Sequence, residues 1–150
     1  MARQLSEREA QDFLAEPHIA VLSVAGDDDR PPLTFPTWYG YQRGGQITYY
    51  THRPAKKTRK LRLLREGGVL ALCAQREEMP YKYVTVEGTV VSISNQPTGE
   101  QMLSIVRRYL PEADAQAYVT GDIENPDVNL VLFTIRPDRW TGTDFAEDAH

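Results

Sequence analysis

The chain has 150 residues, 41% hydrophobic and 25% charged, with a formal net charge of −4. That length favours one domain, 1–150, with a core that needs neither disulfides nor metal. The negative balance argues against nucleic acid or an anionic membrane as partners, and the single cysteine, Cys73, excludes an internal disulfide and fits a reducing cytoplasm.

The first residues carry no apolar signal-peptide core, and no stretch approaches the roughly 18 apolar residues of a membrane helix. Ser6 and Glu9 form a capping box for a helix that Pro17 ends. Ile19 to Val24 is a short apolar strand, followed by a turn at 26–29. Residues 31–41 read as extended, with Pro36 pointing to an edge or a bulge. Gly44-Gly45 is a hairpin signal, with Ile47 to Thr51 as the returning strand. Pro54 suits the first turn of a helix over 56–65, which Gly67-Gly68 stops. Val69 to Ala74 reads as a buried strand, which makes Cys73 a core thiol. Tyr83 to Ile93 is a long strand with a bend at Gly88. Thr98 to Tyr109 is a helix with Met102, Ile105 and Val106 inward, and Glu112 to Val119 a shorter one. Leu130 to Ile135 is the last strand, closed by Pro137, and residues 144–150 read as a loose acidic tail. About six strands joined by turns, with no regular strand–helix alternation, predict a mainly β fold: an antiparallel β-barrel with peripheral helices.

The densest local signal follows the third strand. Seven of the 17 basic residues fall between Arg53 and Arg65. A phosphate at this strand-to-helix junction would meet free backbone N–H groups and the positive helix end. Thr51 and Thr58 offer hydroxyl donors and Lys57 a point charge. The bland alternative is a solvated helix face. No Walker pattern and no GxGxxG supports ordinary nucleotide binding.

Other chemistry has little support. His18, His52 and His150 are scattered, and neither a serine elbow nor HExxH is present. His52 adjoins the basic segment, but a surface histidine is the simpler reading. Glu77-Glu78 belongs to an exposed loop. The basic run lacks the interleaved aromatics of a nucleic-acid site.

Four segments together resemble the pyridoxamine 5'-phosphate oxidase-like, FMN-binding split barrels, especially the flavin- or deazaflavin-dependent enzymes of actinobacteria. They are Ile19 to Val24, Arg30-Pro31-Pro32 leading into Pro36-Thr37-Trp38-Tyr39, Lys57 to Arg62, and Tyr83 to Thr89. The resemblance runs from about Leu5 to Thr143. Lys60 stands where relatives often have asparagine, and Ala55 where some carry arginine. The resemblance implies a split barrel with the cofactor phosphate held by Thr51 and Lys57, with Lys56 or Arg59 assisting. It places Pro36, Thr37, Trp38 and Tyr39 beside the flavin-type ring, largely through backbone groups, with Tyr83 nearby. It also implies a homodimer with shared cofactor pockets, one closed by Trp140 of the partner chain. The expected function is an oxidoreductase using FMN or the deazaflavin F-420, which moves a hydride to or from a small organic substrate. Two alternatives are a non-catalytic flavin or haem carrier and an inactive dimeric scaffold.

Overall fold

The computed structural model describes residues 2–27, 29–53 and 59–146. Among the described residues, seven strands and four helices follow one another. They are β1 (Arg3–Gln4), α1 (Glu7–Leu14), β2 (Ala20–Val24), β3 (Leu33–Thr37), β4 (Ile47–Arg53), α2 (Arg59–Leu63), β5 (Val69–Arg76), β6 (Lys82–Ser94), α3 (Gly99–Val106), α4 (Glu112–Glu124) and β7 (Asn129–Asp144). The fold is mainly β, as the turn-separated strands predict. All strand pairings are antiparallel. No helix among the described residues is long and apolar enough to cross a membrane.

The sheet runs β1-β7-β6-β5-β2-β3, and β4 joins it on β7. Strand β3 ends the sheet on one side, and β4 shares the outer edge of β7 with the short β1 on the other. The segment 38–46 links β3 to β4 and pairs with β4 through the isolated Gly40–Thr48 bridge. This seam splits the barrel. The period-2 pattern of each strand points one face inward: Ala20, Leu22 and Val24, then Leu70, Leu72 and Ala74, then Val84, Val86 and Val90, then Val131, Phe133 and Ile135. Ile47 and Tyr49 complete this core from β4. Helix α1 closes one end with Ala10, Phe13 and Leu14. A second cluster outside the barrel joins Met102, Leu103 and Val106 of α3 to Ala115 and Val119 of α4.

The capping box at Ser6 forms as its spacing predicts. The Ser6 hydroxyl accepts from the Glu9 N–H and the Glu9 carboxylate accepts from the Ser6 N–H. Thr98 and Gln101 repeat the arrangement for α3.

Six expectations need correction. There are seven strands, because Arg3–Gln4 pairs with Thr143 and Asp144. The glycines at 44 and 45 do turn the chain, Gly44 at a φ of 83°, but they do not make a hairpin. β4 finds its partner in β7, some 80 residues on, and β3 pairs with β2. Pro137 does not close the last strand. It sits opposite Gly88, where the register slips and leaves Asp138 bulged, so the missing proline N–H costs no ladder bond. Cys73 is half-buried on the outer face of β5, because Leu72 and Ala74 take the inward positions. The supposed tail begins inside the sheet: Asp144 ends β7, and the Phe145 N–H donates to the Tyr81 carbonyl at 2.9 Å. Helix α4 also runs beyond the predicted Val119, to Glu124.

Candidate functional site

A pocket of about 290 Å³ opens where the ends of β3 and β4 meet α3 and α4. β3 delivers Thr37, and the chain turns outward with Trp38 at the wall. β4 delivers Tyr50, Thr51 and His52, while Ile105 of α3 and Tyr118 of α4 cover the far side.

The aromatic wall is built by stacking. Trp38 lies parallel to Tyr109 at 4.9 Å and tilts against Tyr118 at 5.6 Å, both favourable geometries for paired rings. The backbone beneath Trp38 is held firmly. The Tyr39 N–H donates to the Tyr109 hydroxyl at 3.2 Å, and that hydroxyl donates to the His18 carbonyl at 2.8 Å. The buried Tyr39 hydroxyl donates to the Leu14 carbonyl at 2.7 Å. Arg108 lies over the Tyr39 ring at 4.7 Å and donates to the carbonyls of Tyr41 and Glu16.

Asp122 of α4 stands behind two residues of the pocket wall, Tyr50 and His52. One carboxylate oxygen accepts from the Tyr50 hydroxyl at 3.3 Å and the other meets His52 Nε2 at 3.1 Å. Burial, reinforced by the Asp122 carboxylate, pushes the Tyr50 phenol well above its ordinary range. Burial raises Tyr118 in the same way, again helped by Asp122. Both phenols therefore stay protonated at neutral pH.

At the seam, Lys60 of α2 reaches across from β4 to β3. Its Nζ donates to the Tyr49 hydroxyl at 3.3 Å and stands 4.0 Å from the centre of the Phe35 ring. Burial lowers its pKa. The asparagine expected by resemblance is thus replaced by a cation that joins β4 to β3.

Of the residues singled out from sequence, Thr37, Trp38 and Thr51 meet in this pocket. Pro36 is exposed on β3, one residue away. Tyr39 belongs to the same segment, with its side chain in the core. Lys56 and Lys57 lie outside the described residues. Arg59 turns the other way: its Nη2 donates to the Pro31 carbonyl at 2.6 Å and its Nε approaches Asp27 at 3.5 Å. Arg62 also pairs with Asp27, so these two arginines tie α2 to the turn after β2. Tyr83 is on the opposite part of the sheet, beside Phe145 and the cations Arg76 and Lys82 in a separate groove. Trp140 packs on Tyr41 at 5.6 Å. Within one chain neither Tyr83 nor Trp140 reaches the Trp38 pocket.

Sequence reasoning passed over Tyr50, Tyr118 and Asp122 and left His52 as a surface residue. The available signals were spacings. Tyr50 and His52 are two apart on a strand and share a face, and Tyr118 and Asp122 are four apart on a helix.

The sequence model of the pyridoxamine 5'-phosphate oxidase family matches residues 6–144. The chain belongs to that family. Solved structures agree on the fold. An F420 reductase shares 23% identity at a TM-score of 0.62, over 87% of this chain and 94% of that one. The conserved hypothetical protein Rv2991 from Mycobacterium tuberculosis shares 22% at 0.71, over 97% and 89%. The FAD and heme binding protein from Mycobacterium smegmatis shares 16% at 0.63, over 94% and 72%. No curated protein matches the chain. The split barrel, with its seam between β3 and β4, is therefore the fold of a flavin-binding family.

Proposed function

We propose that the chain is an oxidoreductase that binds FMN or the deazaflavin F-420 and passes a hydride between it and a small organic substrate. The observation that carries this reading is the pocket at the split of the barrel. It sets a flat aromatic wall with Thr37 and Thr51, and Thr51 leads in sequence into the most basic stretch of an acidic chain. The Thr37 hydroxyl donates to the Trp38 carbonyl at 2.9 Å, so Thr51 is the hydroxyl donor that this wall offers to the phosphate arm of a flat ring. Thr51 would hold the phosphate with Lys57, and Lys56 would assist. Arg59 is a weaker candidate, since its guanidinium already serves Pro31 and Asp27. Pro36, Thr37 and Trp38 would flank the ring, and the Tyr39 network would keep that segment rigid.

When bound, the cofactor supplies the hydride chemistry. The chain's own residues bind it, orient it and exclude water. An FAD and heme binding protein among the structural neighbours keeps a non-catalytic carrier as the second reading. Turnover separates the two: a carrier binds the cofactor and never reoxidises it with an organic acceptor.

The working unit in this proposal is a cytoplasmic homodimer. The outer face of β2, β5 and β6 supports it. Val21 pairs across to Cys73 and Cys73 to Thr85, with Ala71 and the exposed Val69 alongside. The exposed Glu87 stands opposite Ala71 on this face, so the apolar patch is Val21, Val69, Ala71 and Cys73, and such a patch usually marks an interaction surface. Tyr83 lies on the same face, which would bring it to a partner's pocket rather than to its own, and Trp140 is the proposed closing residue from the C-terminal strand.

A further inference from the structure

We propose that His52 is the proton donor of this pocket and that Asp122 is the residue that positions it, an inference that rests on the oxidoreductase reading above. The Asp122 carboxylate is only 14% exposed, and both its oxygens are turned to β4, one to Tyr50 and one to His52 Nε2. The His52 side chain is 55% exposed, so this contact buries little of it and adds little to stability. Helix α4 is already docked through Ala115 and Val119. Desolvating a carboxylate to orient an open imidazole is costly as a structural device. It is, however, the arrangement that fixes which ring nitrogen is engaged and which is free. With Nε2–H held by Asp122, Nδ1 is the free nitrogen and has no partner among the described residues. His52 lines the same cavity as Trp38, beside which the ring is proposed to lie.

A reduced flavin or deazaflavin, when bound, would supply a hydride to one atom of a polarised double bond in the acceptor. The π electron pair would pass to the other atom, which would take a proton from the His52 imidazolium, and the neutral imidazole would regain its proton from water at the open mouth.

The test has two arms. In cofactor-free protein, at a pH high enough for neutral rings, 15N NMR of the histidines should show the Nε2–H tautomer at His52, replaced by a mixture in Asp122→Asn. With reduced FMN or F-420 and 2-cyclohexen-1-one as the probe, His52→Ala should lower kcat about 100-fold or more, the usual share of a proton donor. Its cofactor affinity should remain within about twofold, and added imidazole should restore part of the rate. Asp122→Asn should lower kcat with little change in KM. A His52→Ala variant that turns over like a working wild type overturns this inference alone, as does a tautomer indifferent to Asp122. A wild type that binds neither cofactor, or binds one and does not reduce the probe, overturns the oxidoreductase reading and this inference with it.

Discussion

Tyr39 shows how one side chain can serve a site without facing it. Its hydroxyl reaches the carbonyls of Leu14 and Glu16 at the end of α1, so the chain leaves the core in a fixed direction at Trp38. The sequence made this segment legible as extended chain, because a proline, a β-branched residue and two aromatics in a row disfavour helix. It could not reveal that Asp122 lies against Tyr50 and His52. Those contacts span about 70 positions, and only the packing of α4 on the sheet creates them. His18 gives a prediction at this scale. It stacks on Phe13 at 4.2 Å and bonds the Phe13 carbonyl at 3.1 Å. Burial pushes its pKa below the ordinary value of 6.5, against an opposing pull from Glu16. The unfolded chain therefore binds the proton more readily. Stability from His18 is present above the unfolded pKa and is lost as pH falls below it. Urea midpoints at pH about 7.5 and about 5.5 should drop more for wild type than for His18→Gln. Equal drops would mean that burial of this ring is not linked to folding.

The long β6–β7 ribbon makes the same point for elements. Alternation of apolar residues made both strands readable, and Gly88 marked the bend. Pro137 misled, since a proline ends a ladder only where its N–H is required, and here the bulge at Asp138 in its own strand changes that requirement. The β4–β7 pairing was hidden for a related reason. Gly44-Gly45 carries a strong local turn signal, but partner choice is settled by which edge is free to cover Val131, Phe133 and Ile135. The bulge is tightly built. A Cβ on Gly88 would stand 2.7 Å from Ile135 Cγ2 and 2.8 Å from the Arg136 carbonyl, and the carbonyl is backbone that cannot swing aside. Gly88→Ala should therefore cost about 1–3 kcal/mol in chemical denaturation, the usual range for overpacking. An unchanged midpoint would show that the β6–β7 register can slide to make room.

For the molecule as a whole, the split barrel leaves two features that a single chain does not use: the outer face of β2, β5 and β6, and the mouth at the seam. The first predicts a dimer. Val21 is 40% exposed on that face, opposite Cys73, and Val21→Asp would force a carboxylate into the interface. Sedimentation velocity at micromolar concentration should show wild type as a dimer and the variant as a monomer. Identical profiles would place any interface elsewhere. The second feature carries the central claim, that the mouth holds a phosphorylated flavin-type cofactor. The most direct measurement is a titration of wild type and Lys57→Ala with FMN, F-420 and riboflavin, followed by cofactor fluorescence. A charge-assisted phosphate contact contributes about 1.5–3 kcal/mol, or roughly 10- to 150-fold in affinity. Wild type should bind FMN or F-420 more tightly than riboflavin. Lys57→Ala should weaken the phosphorylated cofactor by that factor and leave riboflavin nearly unchanged, and rising salt should mimic the substitution. Equal loss for FMN and riboflavin would contradict the phosphate clamp, and no binding of either phosphorylated cofactor would contradict the account at its centre.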